Sequence, residues 1–357
     1  MKSFSKLREN PKRLGLVKKV AGYGSLVAIS AALIFAPSPF LVEHPGPVYN
    51  VLSTINGQPV ISIKDATTYP TEGELDLLTV SIKGDPVRGA SWVSIIESFF
   101  SEGYELIPIA EYYPPGVDFD EIDQQADIMM LDSQATAKGA ALSELGYEIK
   151  SSVKVSVVQS TGAAAGILRA GDTLLTVDGE IATGIDQVRA RVAASKGKRP
   201  VVLEVLRKDT EKVFEITPRF VDGSWRLGIF VASVPEIPLD IDIDAGNVSG
   251  PSGGQIFALA IYDLMTPGSL TGGKQIAGTG TIEVDGSIGP IGGVKQKLVG
   301  AKNAGAKYFL LPEANCSDAK GNIPAGMKVI AVSNLKESLK ALEAIKSGST
   351  GALPGCN

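Results

Sequence analysis

The chain has 357 residues, of which 44% are apolar, so it is long enough for two or three domains with hydrophobic cores. Its formal net charge is −5, and beyond the first twenty positions the basic residues are dispersed, so we expect no nucleic-acid partner.

The N-terminal residues predict a membrane anchor. Seven Lys or Arg lie within residues 1–19, and no charged residue follows until Glu43. This gap can cross a bilayer as a helix of about twenty residues, with the basic flank on the cytoplasmic side. We therefore predict a cytoplasmic tail over 1–19 and a single transmembrane helix over 20–42 in the cell membrane, with the rest of the chain extracytoplasmic. A cleaved signal peptide is the alternative, but the apolar run lacks a clear cleavage signal.

Residues 43–125 predict an extracytoplasmic α/β segment. Strand-like runs occur at 60–63 and 75–82. Between 92 and 100, apolar residues recur at three- and four-residue spacing, which indicates a helix with one face in a core. The residues of this face are Trp92, Ile95, Ile96, Phe99 and Phe100.

Residues 126–224 predict a small, mostly β domain. Short strands alternate with turn glycines, and one helix is inserted near 185–194. The signature positions are Ala165, Gly166, Ile167, Gly171, Asp172, Asp178 and Gly179. In these residues the segment resembles PDZ domains attached to bacterial proteases. The resemblance implies binding of an extended peptide as an added strand, with its terminal carboxylate held by backbone amides. We expect this carboxylate loop at Leu145, Gly146 and Tyr147, although the sequence there departs from the usual Gly-Leu-Gly-Phe.

Residues 225–346 alternate strand and helix patterns, which predicts an α+β domain, and the Gly/Ser/Pro-rich residues 347–357 predict a flexible tail. Two cysteines, Cys316 and Cys356, lie in this part. An oxidising exterior permits a disulfide between them, but two unrelated thiols are an equal alternative.

A glycine-flanked serine, Ser252, lies at the predicted start of an apolar helix. Pro251 fixes φ, while Gly250, Gly253 and Gly254 permit a tight turn, so backbone amides beside Ser252 can bind an oxyanion. An ordinary helix cap is the alternative interpretation. His44 is the single histidine of the chain and lies far upstream, so a nucleophilic serine here needs another base.

A lysine can supply that base. If a helix begins near Val294, its apolar stripe contains Val294, Leu298, Ala301 and Gly305, with Ala304 beside it. Lys297 lies at the Ala304 edge of this stripe, whereas Lys295 and Lys302 lie on the other flank. Desolvation lowers the pKa of a lysine and makes a neutral amine available. A snorkelling lysine whose amine reaches water is the alternative.

Three motifs in the C-terminal part closely resemble the proteolytic domain of Lon proteases. They read Gly250-Pro251-Ser252-Gly253-Gly254, Thr279-Gly280-Thr281, and Pro290 to Lys297 in the order Pro-Ile-Gly-Gly-Val-Lys-Gln-Lys. The resemblance implies a catalytic serine at Ser252, a catalytic lysine at Lys297 and a lysine-positioning threonine at Thr279. Ser249 and Thr281 replace acidic residues of the family, which implies low basal activity or a need for stimulation.

The whole chain, with an anchor, a PDZ domain and a Lon-type domain, resembles the membrane-anchored, ATP-independent PDZ-Lon proteases known as the YlbL family. The sequence contains no Gly-x4-Gly-Lys-Ser/Thr phosphate loop, and we expect no cofactor and no metal site. The expected partners are extended or misfolded polypeptides and the membrane. Lon-type domains commonly form rings, which leaves a homo-oligomer open. The main alternative is an inactive, membrane-tethered peptide-binding scaffold.

Overall fold

The computed structural model describes residues 23–24, 36–55, 57–113, 119–221, 223–246 and 248–356. Most of the predicted membrane anchor therefore lies outside the described residues, and its last three positions, Phe40–Val42, begin a β-strand. Among the helices of the described ranges, none has the length and hydrophobicity needed to cross a bilayer.

The strands are numbered in chain order. They are β1 (Phe40–Asn50), β2 (Thr54–Ile55), β3 (Gln58–Pro59), β4 (Ile61–Ile63), β5 (Glu74–Lys83), β6 (Glu105–Pro108), β7 (Ser151–Val158), β8 (Thr173–Val177), β9 (Glu180–Ile181), β10 (Val201–Arg207), β11 (Thr210–Ile216), β12 (Arg219–Val221), β13 (Ser224–Arg226), β14 (Ile229–Pro235), β15 (Ile241–Ile243), β16 (Gln275–Gly278), β17 (Thr281–Ile282), β18 (Ile288–Gly289), β19 (Tyr308–Pro312) and β20 (Lys328–Val332).

The helices are numbered in the same way. They are α1 (Trp92–Ser98), α2 (Ile109–Tyr112), α3 (Phe119–Glu144), α4 (Ile185–Ala194), α5 (Gly254–Met265), α6 (Val294–Ala304), α7 (Cys316–Ala319) and α8 (Leu335–Ser347), with 3₁₀ turns at Glu313–Asn315 and Thr350–Ala352.

The chain divides into two compact units, of which the smaller comprises residues 1–46 and 80–119. In its described part, β1 pairs antiparallel with β6, and a small core forms around Val42, Ala90 and Ile95. The predicted apolar face of α1 is only partly buried. Ile95 faces the core, but Phe99 is 72% exposed and Phe100 87% exposed. The core prediction was therefore wrong for these two phenylalanines, because α1 ends at Ser98 and neither residue lies within the helix. It was also wrong for Ile96, which lies within α1 but is 46% exposed and does not belong to the small core.

The larger unit contains two separate cores. The first belongs to what we call the large domain, formed by residues 47–79, 120–150 and 236–356. Its strands β5, β16, β19 and β20 are parallel neighbours. Side chains alternate across a strand, so Ile276 packs on the face covered by α3, α5 and α8, whereas Ala277 packs on the face covered by α6. Helices on both faces bury this sheet.

The second core belongs to what we call the β module, Ser151–Pro235. Its sheet has the order β11-β10-β8-β7-β14, with β9 beside β8, and its apolar residues form a cluster distinct from that of the large domain. Asp172, a residue of the predicted signature, binds Arg207 through both carboxylate oxygens. Burial alone would raise the pKa of Asp172, but the Arg207 and Arg169 hydrogen bonds bring it below its ordinary value. Asp172 therefore stabilises the module.

Three predicted boundaries differ from the structure. Residues 126–144 were predicted within the mostly β domain, but they belong to helix α3, which begins at Phe119 and packs on the large domain, so the β module begins at Ser151 rather than at 126. The module extends beyond 224 because β14 pairs with β7. Residues 61–63 and 74–79, predicted in a separate segment, pair with strands β15 and β16 of the large domain.

The C-terminal residues are docked rather than loose. Cys356 is buried and forms a disulfide with Cys316, and the carbonyl of Pro354 accepts a hydrogen bond from the Ala331 amide at 3.0 Å. Leu353 packs against the core of the large domain. The prediction of a flexible tail was wrong, because a covalent bond and these contacts outweigh the glycine and serine content.

Candidate active site

Ser252 lies on a tight turn between the C-terminal end of β15 and helix α5. Gly250 adopts φ +85°, which favours glycine, and its amide donates to the Ala126 carbonyl at 3.0 Å. The Ser133 hydroxyl donates to the Pro251 carbonyl at 2.9 Å. Both of these partners come from α3, so this helix fixes the turn that carries Ser252.

Gly253 and Gly254 place Ser252 against the first turn of α5. Gly253 is the residue that caps the helix, and a Cβ on Gly254 would lie 2.9 Å from Ile282 Cγ2, so only glycine permits this approach. In the described part of the chain, no hydrogen bond occupies the amides of Ser252 and Gly253. These amides lie at the partially positive N-terminus of α5, where an oxyanion is stabilised.

Lys297 projects from the first turns of α6 and is 3% exposed. Its Nζ lies 2.8 Å from Ser252 Oγ and 3.0 Å from Thr279 Oγ1. The stripe prediction is confirmed for Val294, Leu298 and Ala301. It was wrong for Ala304 and Gly305, which are exposed because the helix ends there and turns toward solvent.

Thr279 lies between β16 and β17 and is fully buried. Its hydroxyl accepts a hydrogen bond from the Lys297 amine and donates to the Ser252 carbonyl at 3.0 Å. The Gly280 amide donates to the same carbonyl at 2.9 Å. The structure thus brings Ser252, Thr279 and Lys297 into one hydrogen-bonded cluster, although they lie on three separate elements.

Two further groups near this cluster have no local sequence signal. Asp132 on α3 and Glu283 after β17 line a cavity of about 220 Å³ that also contains Pro251 and Thr281. Burial raises the pKa of the Asp132 carboxyl. Acidic side chains from other parts of the chain therefore lie beside the turn, although Ser249 and Thr281 are not acidic.

Asn315 supports the loop that leads into α6. It is 3% exposed, and its side chain accepts from the Ile291 amide and donates to the Ile291 carbonyl, both at 2.9 Å. The same amide nitrogen lies 2.8 Å from Asp318. The sequence analysis did not identify Asn315; its two bonds to one backbone residue make it the anchor of this loop.

The predicted carboxylate loop lies elsewhere in the structure. The amides of Leu145, Gly146 and Tyr147 donate to carbonyls in the last turns of α3, and Leu145 packs on the large domain rather than on the β module. This prediction was wrong, because the three residues terminate a helix of the other domain. Gly146, at φ +92°, ends that helix in the left-handed region.

A groove of the β module lies instead between α4 and β14. It is a cavity of about 440 Å³, and its apolar lining includes Val188 and Val192 from α4. The loop at its end reads Arg226-Leu227-Gly228-Ile229, with Leu-Gly followed by an apolar residue as in Gly-Leu-Gly-Phe. That pattern is the sequence signal for the groove, and the sequence analysis did not identify it.

Comparison with known proteins agrees with this geometry for the C-terminal part. Residues 232–344 match the model of the Lon protease (S16) C-terminal proteolytic domain, a serine peptidase domain. The chain is 35% identical over 126 residues to the Lon protease of Rickettsia felis and 40% identical over 111 residues to that of Lachnoclostridium phytofermentans. These alignments cover 34% and 29% of this chain but only 16% and 13% of those proteins.

A solved structure is similar to part of the chain. The PDZ domain of the SdrC-like protein from Listeria monocytogenes aligns with 23% identity and a TM-score of 0.21, covering 22% of this chain and 85% of that structure. The chain therefore contains a Lon-type proteolytic domain over residues 232–344.

Proposed function

We propose, from the premise of a Lon-type serine peptidase domain over residues 232–344, that this protein is an ATP-independent serine endopeptidase with a Ser252-Lys297 dyad. Its substrates are extended or unfolded polypeptide segments outside the cytoplasm. The observation that carries this proposal is the 2.8 Å distance between Lys297 Nζ and Ser252 Oγ in a buried setting.

Lys297 acts as the general base of the first step. Burial disfavours a charged ammonium, and a neutral amine can donate one N–H to Thr279 Oγ1 while its lone pair accepts the Ser252 proton. The Ser252 oxygen then attacks the peptide carbonyl carbon. The amides of Ser252 and Gly253 stabilise the resulting oxyanion. The ammonium returns its proton to the leaving amine as the C–N bond breaks, which leaves an ester on Ser252.

Hydrolysis of that ester uses the same groups in reverse. The Lys297 amine takes a proton from a water molecule, whose oxygen attacks the ester carbonyl. When this second intermediate collapses, the proton returns to Ser252 and the new carboxyl group is released. A positioned base contributes about a hundred- to ten-thousand-fold to such a reaction.

The β module selects the substrate in this proposal. In the described part of the chain, β14 lies at the edge of its sheet, where an extended peptide can add as a further strand. Because the chain has no phosphate loop that would power an unfoldase, a substrate must arrive already extended.

The N-terminal residues hold the protein in the cell membrane in the same proposal. Residues 36–39 are not helical and Phe40 begins β1, so the helix predicted over 20–42 can extend to residue 35 at most. The remaining residues 20–35, about sixteen, make a short span for a bilayer. The full chain should stay with the membrane pellet after alkaline carbonate extraction. Release into the supernatant would contradict the anchor but not the protease activity.

The dyad is tested with Ser252→Ala and Lys297→Met in the full chain. Methionine keeps an apolar side chain of similar length in the buried site but has no amine. We expect both variants to lose cleavage of casein by at least about a hundredfold, and Ser252→Ala to lose labelling by a serine-directed fluorophosphonate. Lys295→Met on the same helix is the matched control and should cleave normally. Wild-type protein that neither labels nor cleaves would indicate the peptide-binding scaffold instead.

A further inference from the structure

The free edge of β14 lines two cavities in succession. Its residues Ile229 and Phe230 line the groove against α4, and its residues Ala232 and Ser233 line the cavity that contains Pro251 and Thr281. Val231 lines both cavities. One strand edge therefore runs from the groove of the β module to the turn that carries Ser252.

The end of the groove at Gly228 suits a carboxylate. Gly228 adopts φ +74° and packs against Gly162, so that a Cβ on it would lie 2.4 Å from Gly162 Cα. Arg189 and Arg226 are both exposed and line this groove. The chemistry of this end, with two guanidinium groups and a backbone turn, favours the terminal carboxylate of a peptide.

The position of the carboxylate fixes the direction of the bound chain. If the last residue of a peptide lies beside Gly228, the preceding residues can only continue along β14 toward Ser233, so the peptide runs antiparallel to β14. Apolar side chains at the end of the peptide fit between Val188, Val192 and Leu227. Further upstream, the peptide reaches the cavity beside Pro251, the residue directly before Ser252.

We propose that the β module positions a substrate by its C-terminus, so that Ser252 cuts at a fixed distance upstream of an apolar C-terminal residue. This inference rests on the proposed function and adds a rule for where the chain is cut. Each residue of an extended peptide advances about 3.3 Å, as each residue of β14 does, so the substrate residue beside Ser233 lies about five positions before the one beside Gly228. The scissile bond lies beyond it, about six to ten residues from the end.

The test uses synthetic peptides and the full chain in detergent. One series carries a constant cleavable segment followed by glycine-serine spacers of increasing length and a C-terminal valine. We expect the cut, located by mass spectrometry, to keep its distance from the valine as the spacer grows. A second peptide with a C-terminal amide should lose roughly tenfold or more in kcat/KM, because a charge-assisted interaction is lost.

Variants of the groove provide the matched comparison. The double variant Arg189→Glu with Arg226→Glu should show the same loss on the free-carboxylate peptide. Lys212→Glu reverses a charge on β11, at the opposite edge of the same sheet, and should have no effect. Binding of the valine peptide to Ser252→Ala, measured by fluorescence anisotropy, should also weaken in the arginine variants.

The outcomes separate the two proposals. Cutting that stays at one sequence regardless of spacer length, or an amide peptide cut as fast as the free acid, overturns the positioning rule while the protease activity stands. A complete lack of cutting, together with no labelling of Ser252, overturns the proposed activity. If the valine peptide still binds in that case with a dependence on its carboxylate, only the peptide-binding part survives and the cutting rule fails.

Discussion

Replacement of Thr279 by valine tests whether its hydroxyl positions the lysine. Valine has nearly the same shape as threonine, and Thr279 is fully buried, so the substitution leaves little empty space. It removes the acceptor that lies 3.0 Å from Lys297 Nζ and the donor that lies 3.0 Å from the Ser252 carbonyl. The carbonyl keeps its hydrogen bond from Gly280, so the main loss falls on the amine.

The size of the effect follows from that loss. A buried polar group deprived of one partner costs about 1–3 kcal/mol. The amine must be aligned with Ser252 in the transition state. If the cost raises the free energy of that state, kcat falls by roughly ten- to a hundredfold, since each 1.36 kcal/mol is about a factor of ten in rate. KM should change little, because Thr279 is fully buried and does not contact bound peptide. Thr279→Ser, which keeps the hydroxyl, should restore most of the rate.

The assay is steady-state cleavage of a quenched peptide, with thermal unfolding measured in parallel. The matched control is Thr266→Val at the opposite end of α5, where the hydroxyl donates to the Tyr262 carbonyl at 2.8 Å. It should lose about 1 kcal/mol of stability but no rate. If Thr279→Val turns over within twofold of the wild type, or loses no more rate than Thr266→Val, the hydroxyl does not position the amine.

Three further predictions concern residues outside the cluster of Ser252, Thr279 and Lys297. Asn315→Ala should lower kcat about tenfold, because the two bonds to Ile291 that hold the loop before α6 are lost. Burial raises the pKa of Asp263 from 3.8 to about 6, although a hydrogen bond from the Leu270 amide lowers it in part. The folded protein therefore binds the proton of this carboxyl group more tightly than the unfolded chain does. Stability from this group is therefore lost as pH rises from about 4 to 6, and Asp263→Asn should be more stable than the wild type by up to about 3 kcal/mol above pH 6, but not at pH 4. Reduction of the Cys316–Cys356 disulfide, which spans 40 residues, should cost about 4 kcal/mol of unfolding free energy.

Each of these predictions has its own check. Asn322→Ala removes an exposed side-chain bond to the Asp318 carbonyl and should leave kcat unchanged. Equal melting temperatures of oxidised and reduced protein would contradict the stabilising role of the disulfide. For Asp263→Asn, a stability gain of the same size at both pH values would contradict the role of ionisation.

The sequence alone determined the chemistry of the cluster and the elements that carry it. The glycines around Ser252 and the apolar residues after it encode a turn followed by a buried helix, and the helix with Lys297 has the predicted bounds at its start. These features are local, because turn geometry and helical periodicity depend on residues within a few positions of each other. The motifs predicted that Lys297 approaches Ser252, and in the structure the Lys297 amine contacts the Ser252 hydroxyl.

Only the tertiary structure decided which distant segments complete the site. Helix α3, assigned from sequence to the β module, belongs to the large domain and holds the turn of Ser252 through Ser133. The groove lies at Gly228 rather than at Gly146, and the C-terminal residues dock through Cys356. Such contacts join residues far apart in sequence. They depend on packing and strand pairing across the whole fold, which the local periodicity of the sequence does not specify.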